Sequence, residues 1–224
     1  MVRANRRRRT VIGVLDLQGG VAEHLDHLAR LGITGVPVKE PADLKGLAGL
    51  IIPGGESTCL ARLLNLFGLG DAIRREFNQG MKVWGTCAGA ILLAAEVVGE
   101  EPCLPLIDLV IERNSFGSQL DSFAGEASIP GVAEGTIPLT FIRAPQIRSV
   151  GEDVKVLLSV DDYIAAAESS AVLVTVFHPE LTGCLAFHRY FARKCGLEPR
   201  SEHEVPDLDP AWDNKSWTRR ARIA

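Results

Sequence analysis

The 224-residue chain has no apolar run near the roughly 18 residues needed to cross a bilayer, and no hydrophobic leader segment follows its basic start, MVRANRRRRT. C-x-x-C pairs are missing as well. The five cysteines, Cys59, Cys87, Cys103, Cys184 and Cys195, are odd in number and scattered, which argues against both a disulfide framework and a zinc site. A reducing, cytoplasmic setting with no membrane contact is therefore expected. The chain also lacks the phosphate-cradling G-x-x-x-x-G-K-S/T signature, internal repeats and low-complexity blocks. Excess positive charge is confined to one end: five arginines fall in residues 1–9, whereas residues 10–200 hold 15 basic against 23 acidic groups. An acidic globule is a poor binder of nucleic acid.

What is present is enough for one globular domain. With 46% hydrophobic and 23% charged residues, the chain can bury a sizeable core without disulfides or metals. Apolar, β-branched runs alternate with helical periodicity, as in TVIGVLDL, VAEHLDHLARLG, ITGVPVKE, LAGLIIPGG and TCLARLLNLFGLGDAIRREFNQG. This alternation predicts βαβ units and a parallel sheet. KVWGTCAGAILLAAEVVG reads as strand, turn and helix. Beyond residue 104 strand-like runs follow one another with little helix, which predicts an antiparallel or mixed extension, and CLAFHRYFARKCG closes the fold as a helix. The domain is expected over residues 10–197, between a basic arm at 1–9 and a tail at 198–224 whose prolines and mixed charges suit a disordered or surface-hugging segment. Trp212 and Trp217 in that tail are candidate anchors on a partner surface.

The stretch Gly85-Thr86-Cys87-Ala88-Gly89 places a thiol between two glycines where a strand passes into a helix. A G-x-nucleophile-x-G turn of this kind forces its central residue into strained geometry and exposes it at the helix N-terminus. There the Ala88 N–H is placed to bind an oxyanion. Read alone, the pentapeptide fits a buried structural cysteine equally well.

A thiol nucleophile needs a base. His24 and His27 lie three apart on the first helix and read as exposed polar-face residues; His188 falls in the last helix and His203 in the tail. His178 remains, in VTVFHPEL, with Glu180 two residues on. The intervening proline makes the segment leave the sheet as a rigid turn, so that the carboxylate can hold one imidazole nitrogen and turn the other toward the thiol. In IIPGGEST, Gly54 and Gly55 offer a second oxyanion donor, and Glu56 to Thr58 can cap the next helix.

PGGES, GTCAG and HPEL, in this order, resemble class I (triad) glutamine amidotransferases. GVLDLQGGVAEHL, RNSFGSQLDSF and FIRAP narrow the likeness to the glutaminase subunits of pyridoxal 5′-phosphate synthases, over about residues 10–197. The resemblance implies a three-layer, flavodoxin-like α/β fold with a mostly parallel sheet, helices on both faces and an antiparallel extension. It implies Cys87 as nucleophile, His178 as base and acid, and Glu180 as its orienter. Gly55, Glu56 and Ser57 match the glutamine-binding loop, Arg113, Ile142 and Arg143 match the other glutamine contacts, and Gly55 with Ala88 would hold the oxyanion. Neither a cofactor nor a metal is implied. The partner implied is the lyase subunit of the synthase, a (β/α)8 barrel, in a complex of twelve and twelve subunits, fed with ammonia from L-glutamine. Asp16, Gly20, Pro105 and Ser118 depart from the family pattern, in ways that bear on partner docking. Other readings of the same elbow are a glutaminase subunit serving another amidotransferase, such as that of histidine biosynthesis, a free-standing peptidase or γ-glutamyl hydrolase, and a binding module with a vestigial triad.

Overall fold

The computed structural model describes residues 9–113 and 122–201. Ser118, His203, Trp212, Trp217, all but the last residue of the basic arm and nearly all of the tail lie outside them, as does most of RNSFGSQLDSF.

The chain runs β1 (Val11–Leu15), α1 (Val21–Arg30), β2 (Thr34–Val38), β3 (Gly49–Ile52), α2 (Ser57–Leu66), α3 (Leu69–Asn78), β4 (Lys82–Thr86), α4 (Ala88–Leu93), β5 (Ala94–Val97) and β6 (Ile107–Glu112). It continues through β7 (Phe123–Ser128), β8 (Thr136–Phe141), β9 (Gln146–Val150), β10 (Lys155–Val160), β11 (Tyr163–Glu168), β12 (Val172–Thr175) and α5 (Ala186–Lys194). Ten strands form one sheet in the order β2-β1-β3-β4-β12-β11-β9-β6-β5, with β10 paired to β11; β7 and β8 form a separate hairpin. From β2 to β12 every pairing is parallel, and the next three are antiparallel. The mostly parallel sheet with its antiparallel extension is therefore as expected. The crossover from β1 to β2 and that from β3 to β4 run in opposite directions along the sheet, so right-handed connections put α1 on one face and α2 with α3 on the other.

Sequence chemistry explains the elements. GLII in β3 and VLVT in β12 are buried throughout, as strands covered on both faces must be. The long helical stretch after β3 breaks at Gly68, whose left-handed backbone (φ 65°) ends α2 and begins α3. Trp84, Phe177, Phe187 and Phe191 are fully buried between the sheet and α5.

Two expectations need correcting. AILLAAEVV is not one helix: α4 stops at Leu93, and Ala94 to Val97 pair in parallel with β6. A continuous apolar run does not distinguish a short helix plus an edge strand from a longer helix. His24 and His27, read as exposed, are both completely buried. Of the departures from the family pattern, Asp16 pairs with Lys39 at 3.2 Å, and Gly20 packs so near Glu180 that a methyl there would lie 3.2 Å from its Cγ. Near the two ends of the described residues Arg9 bonds Leu47 and Glu76, and the Arg200 N–H donates to the Leu31 carbonyl, which places residues 198–201 along the surface.

Candidate functional site

Cys87 stands between β4 and α4 with φ 48° and ψ −105°, a backbone region that costs a non-glycine residue about 1–3 kcal/mol and persists only where its surroundings enforce it. They do so from two directions. Its N–H donates to the Thr175 carbonyl of β12 at 2.8 Å, and the two glycines beside it are needed for close approach. A Cβ on Gly89 would lie 2.0 Å from the Ile52 carbonyl oxygen, and one on Gly85 would lie 2.5 Å from Gly89. The elbow expected from the sequence is thus formed. Its thiol, however, is buried rather than exposed, the residue being 7% accessible. Since α4 has only six residues, its N-terminus contributes little field, and His178 is the main polar group set against the sulfur.

His178 follows β12, and its N–H donates to the Thr140 carbonyl of β8. Its imidazole is set against Cys87 on one side and, through Nδ1, hydrogen-bonds the Glu180 Oε1 at 2.8 Å on the other. Burial by itself would lower the His178 pKa, but its interactions with Cys87 and with the Glu180 carboxylate hold it well above the ordinary 6.5. Glu180 is 1% exposed in a 3-10 turn that Pro179 opens. Burial pushes its carboxyl up, while His178 and then His24 bring it to a net value below the ordinary range.

A cavity of about 370 Å³ opens over the thiol. Gly55, Glu56, Ser57, Cys87, Ala88, Arg113, Ile142, Arg143 and His178 all line it, so every site residue expected from the sequence meets here except Glu180, which lies behind His178. Gln18, Ile91 and Pro145 complete the lining; Pro145 belongs to FIRAP, and its place in that motif is the signal that could have found it. Of the two candidate donors after β3, Gly54 has its N–H committed to Thr86 Oγ1 at 2.9 Å, which leaves Gly55. Gly54 has no room for a side chain: a Cβ there would lie 2.4 Å from His178 Cε1 and 3.2 Å from Cys87 Cβ.

Glu56 caps α2, accepting from the Thr58 and Cys59 N–H groups at 3.0 and 2.6 Å, and these bonds lower its pKa. Its own N–H donates to Gln18 Oε1 at 3.3 Å. The Arg113 guanidinium sits on Glu100, with Nη1 2.7 Å from both carboxylate oxygens, and 3.5 Å from Glu56. Arg143 has φ 44°; with Cys87 and Asp161 it makes three non-glycine residues at positive φ among those described, two of them on the cavity wall.

The model of the SNO glutamine amidotransferase family matches residues 14–197. A curated protein of Syntrophus aciditrophicus named pyridoxal 5′-phosphate synthase subunit PdxT is 60% identical over 214 residues, 96% of each chain. One of the same name from Clostridium beijerinckii is 46% identical, across 81% of this chain and 96% of its own. A crystal structure of a glutamine amidotransferase superposes with a TM-score of 0.78 at 42% identity, covering 83% of this chain and 99% of the other. A Thermoplasma acidophilum protein described as a putative GMP synthase subunit, at 18% identity and TM-score 0.61, shares the fold.

Proposed function

The chain belongs to the SNO glutamine amidotransferase family, and from that premise we propose that it is the glutaminase subunit of a pyridoxal 5′-phosphate synthase, releasing ammonia from L-glutamine for vitamin B6 synthesis. The observation that carries this reading is the file of three groups, with His178 set against Cys87 and hydrogen-bonded to Glu180 at the base of a cavity that opens over the thiol.

His178 takes the thiol proton, and the Cys87 sulfur attacks the side-chain amide carbon of glutamine. The oxyanion is held by the Gly55 and Ala88 N–H groups. As the C–N bond breaks, His178 gives its proton to the departing ammonia, leaving a γ-glutamyl thioester. Water, deprotonated by His178, then attacks that thioester and releases glutamate and the thiol. Glu180 keeps the imidazole in the tautomer that both steps need. Arg113 and Arg143 receive the α-carboxylate, while Glu56, Ser57 and Ile142 shape the rest of the pocket. The ammonia passes to the synthase lyase subunit, a (β/α)8 barrel, in a cytoplasmic complex of twelve and twelve. Glutamate production by the purified chain, alone and with that subunit, tests the reading: stimulation by the partner is expected, and equal turnover in both conditions would overturn it in favour of a free-standing hydrolase.

The ion pair on Arg113 has a consequence for affinity. Glu100 is about half exposed, and its carboxylate occupies the guanidinium that the substrate carboxylate must reach. An exposed pair of this kind is worth up to about 1 kcal/mol, so Glu100→Gln is expected to lower the KM for glutamine by roughly two- to fivefold with kcat little changed. A raised KM in steady-state kinetics would show instead that Glu100 holds Arg113 in its binding position.

A further inference from the structure

We propose that His24 of α1 is a positioning residue for the triad, its Nε2–H holding the second oxygen of Glu180 so that the first stays on His178. The inference rests on the glutaminase reading only for its kinetic arm. Glu180 Oε2 and His24 Nε2 face each other at 3.6 Å, just beyond hydrogen-bond length, with side chains 1% and 0% exposed. Neither atom has a hydrogen-bond partner among the described residues. Behind it, His24 Nδ1 lies 2.8 Å from His188 Nε2 of α5. Trp84 walls the pair, edge-on to His24 at 5.5 Å and to His188 at 4.9 Å between ring centroids.

One arrangement of protons suits every contact. His188 donates from Nε2 to His24 Nδ1. His24, its other nitrogen protonated, points its N–H at Glu180 Oε2. Glu180 Oε1 accepts from His178 Nδ1–H, which leaves His178 Nε2 for the thiol. The line thus runs from the buried interface of α1 and α5 to the cavity. A carboxylate fixed at one oxygen only can swing about its Cγ–Cδ bond; fixed at both, it presents a constant acceptor to the imidazole. The charged or titratable groups around His24 are Glu180, which favours its charged form, His27 and His178, which oppose it, and His188, hydrogen-bonded to its Nδ1. Burial outweighs them all and holds its pKa near 4, so the ring is neutral at working pH, as the arrangement requires.

The test compares His24→Leu, His24→Asn and His24→Gln. The glutamine amide reaches the position of the imidazole Nε2, whereas the asparagine amide reaches only Nδ1. Each is assayed for glutamine hydrolysis with the synthase subunit present, and for the pH dependence of Cys87 alkylation by iodoacetamide, followed on the Cys87 peptide by mass spectrometry. Loss of the anchor is expected to lower kcat roughly tenfold or more in the Leu and Asn variants, with KM within about twofold. The same loss weakens the hold of Glu180 on His178 and moves the alkylation midpoint upward by about half a pH unit or more. His24→Gln is expected to recover most of both effects. If folded Leu or Asn variants keep the wild-type kcat and profile, or if Gln fails as badly as Asn, the proposal is overturned. Should Leu fail to fold, the Asn and Gln pair decides. Wild type that alkylates normally but never hydrolyses glutamine would sink the glutaminase reading, while the alkylation profiles still judge His24.

Discussion

Cys87→Ala is expected to reduce glutamine turnover, measured with the synthase subunit present, by a factor on the order of 10⁴ or more, with the folded structure retained. Among the described residues of the cavity the one hydroxyl, Ser57, begins α2 rather than standing at the elbow, and without the thiol His178 has no nucleophile from which to take a proton. Alanine keeps the Cβ that the elbow already accommodates and adds no volume against Gly54 or His178, so urea midpoints are expected to stay close to those of wild type. Because the backbone strain at φ 48° remains, no stabilisation is expected from removing the sulfur. Residual hydrolysis within about tenfold of wild type would show that Cys87 is not the nucleophile.

The second large effect concerns acid. His24 and His188 are fully buried, and burial is the main cause that lowers both, His24 to about 4 and His188 well below 6.5. His27 is lowered by burial too, opposed by hydrogen bonds to the Thr182 and Glu23 carbonyls. A histidine whose folded pKa lies below its unfolded 6.5 binds its proton only after unfolding, so its contribution is present at neutral pH and is lost as pH falls below 6.5. The raised pKa of His178 works in the opposite sense: its contribution is complete below 6.5 and fades as pH rises through the folded value. Between pH 6.5 and about 5 that contribution is constant, and the lowered pKa of Glu180 matters only further into acid. Each neutral buried histidine then costs up to about 1.4 kcal/mol per pH unit, so His24 and His188 together give a slope of about 3 kcal/mol per unit. Urea unfolding at pH 7.5, 6.5 and 5.5 should show a small change over the first interval and a fall of a few kcal/mol over the second. A flat profile down to pH 5 would mean that water reaches these rings.

Much of the site was legible because each triad member sits where the chain leaves a strand, and such places carry local signals. Gly85 and Gly89 mark the elbow, Pro179 marks the turn after His178, and the paired glycines mark the loop after β3. The parallel half of the sheet was legible for the related reason that buried parallel strands read as unbroken apolar runs. Four features were not. β5 is hidden inside a run whose alanines and leucines suit a helix as well as a strand. β9 carries Arg148 and Ser149 on a short edge-like segment after Pro145, and its strand state comes from its neighbours β6 and β11. The burial of His24 and His27 was hidden because periodicity treats histidine as a surface residue; what makes the interior hospitable is His188 on α5 and Glu180, both remote in sequence. The pairing of Arg113 with Glu100 is equally non-local, since it joins the end of β6 to the turn after β5.

Among the described residues β12 is the last strand in sequence, yet it lies at the centre of the sheet, between β4 and β11. During synthesis the ribosome therefore delivers Cys87 long before His178 and Glu180, and for that interval β4 waits with one edge unpaired. A polypeptide interrupted before Val172 leaves two interior strand edges, those of β4 and β11, open to pairing with other chains. Premature termination thus yields an aggregation-prone product with an unarmed thiol. Only translation that runs past Glu180 supplies both the strand that fills the sheet and the groups that face Cys87.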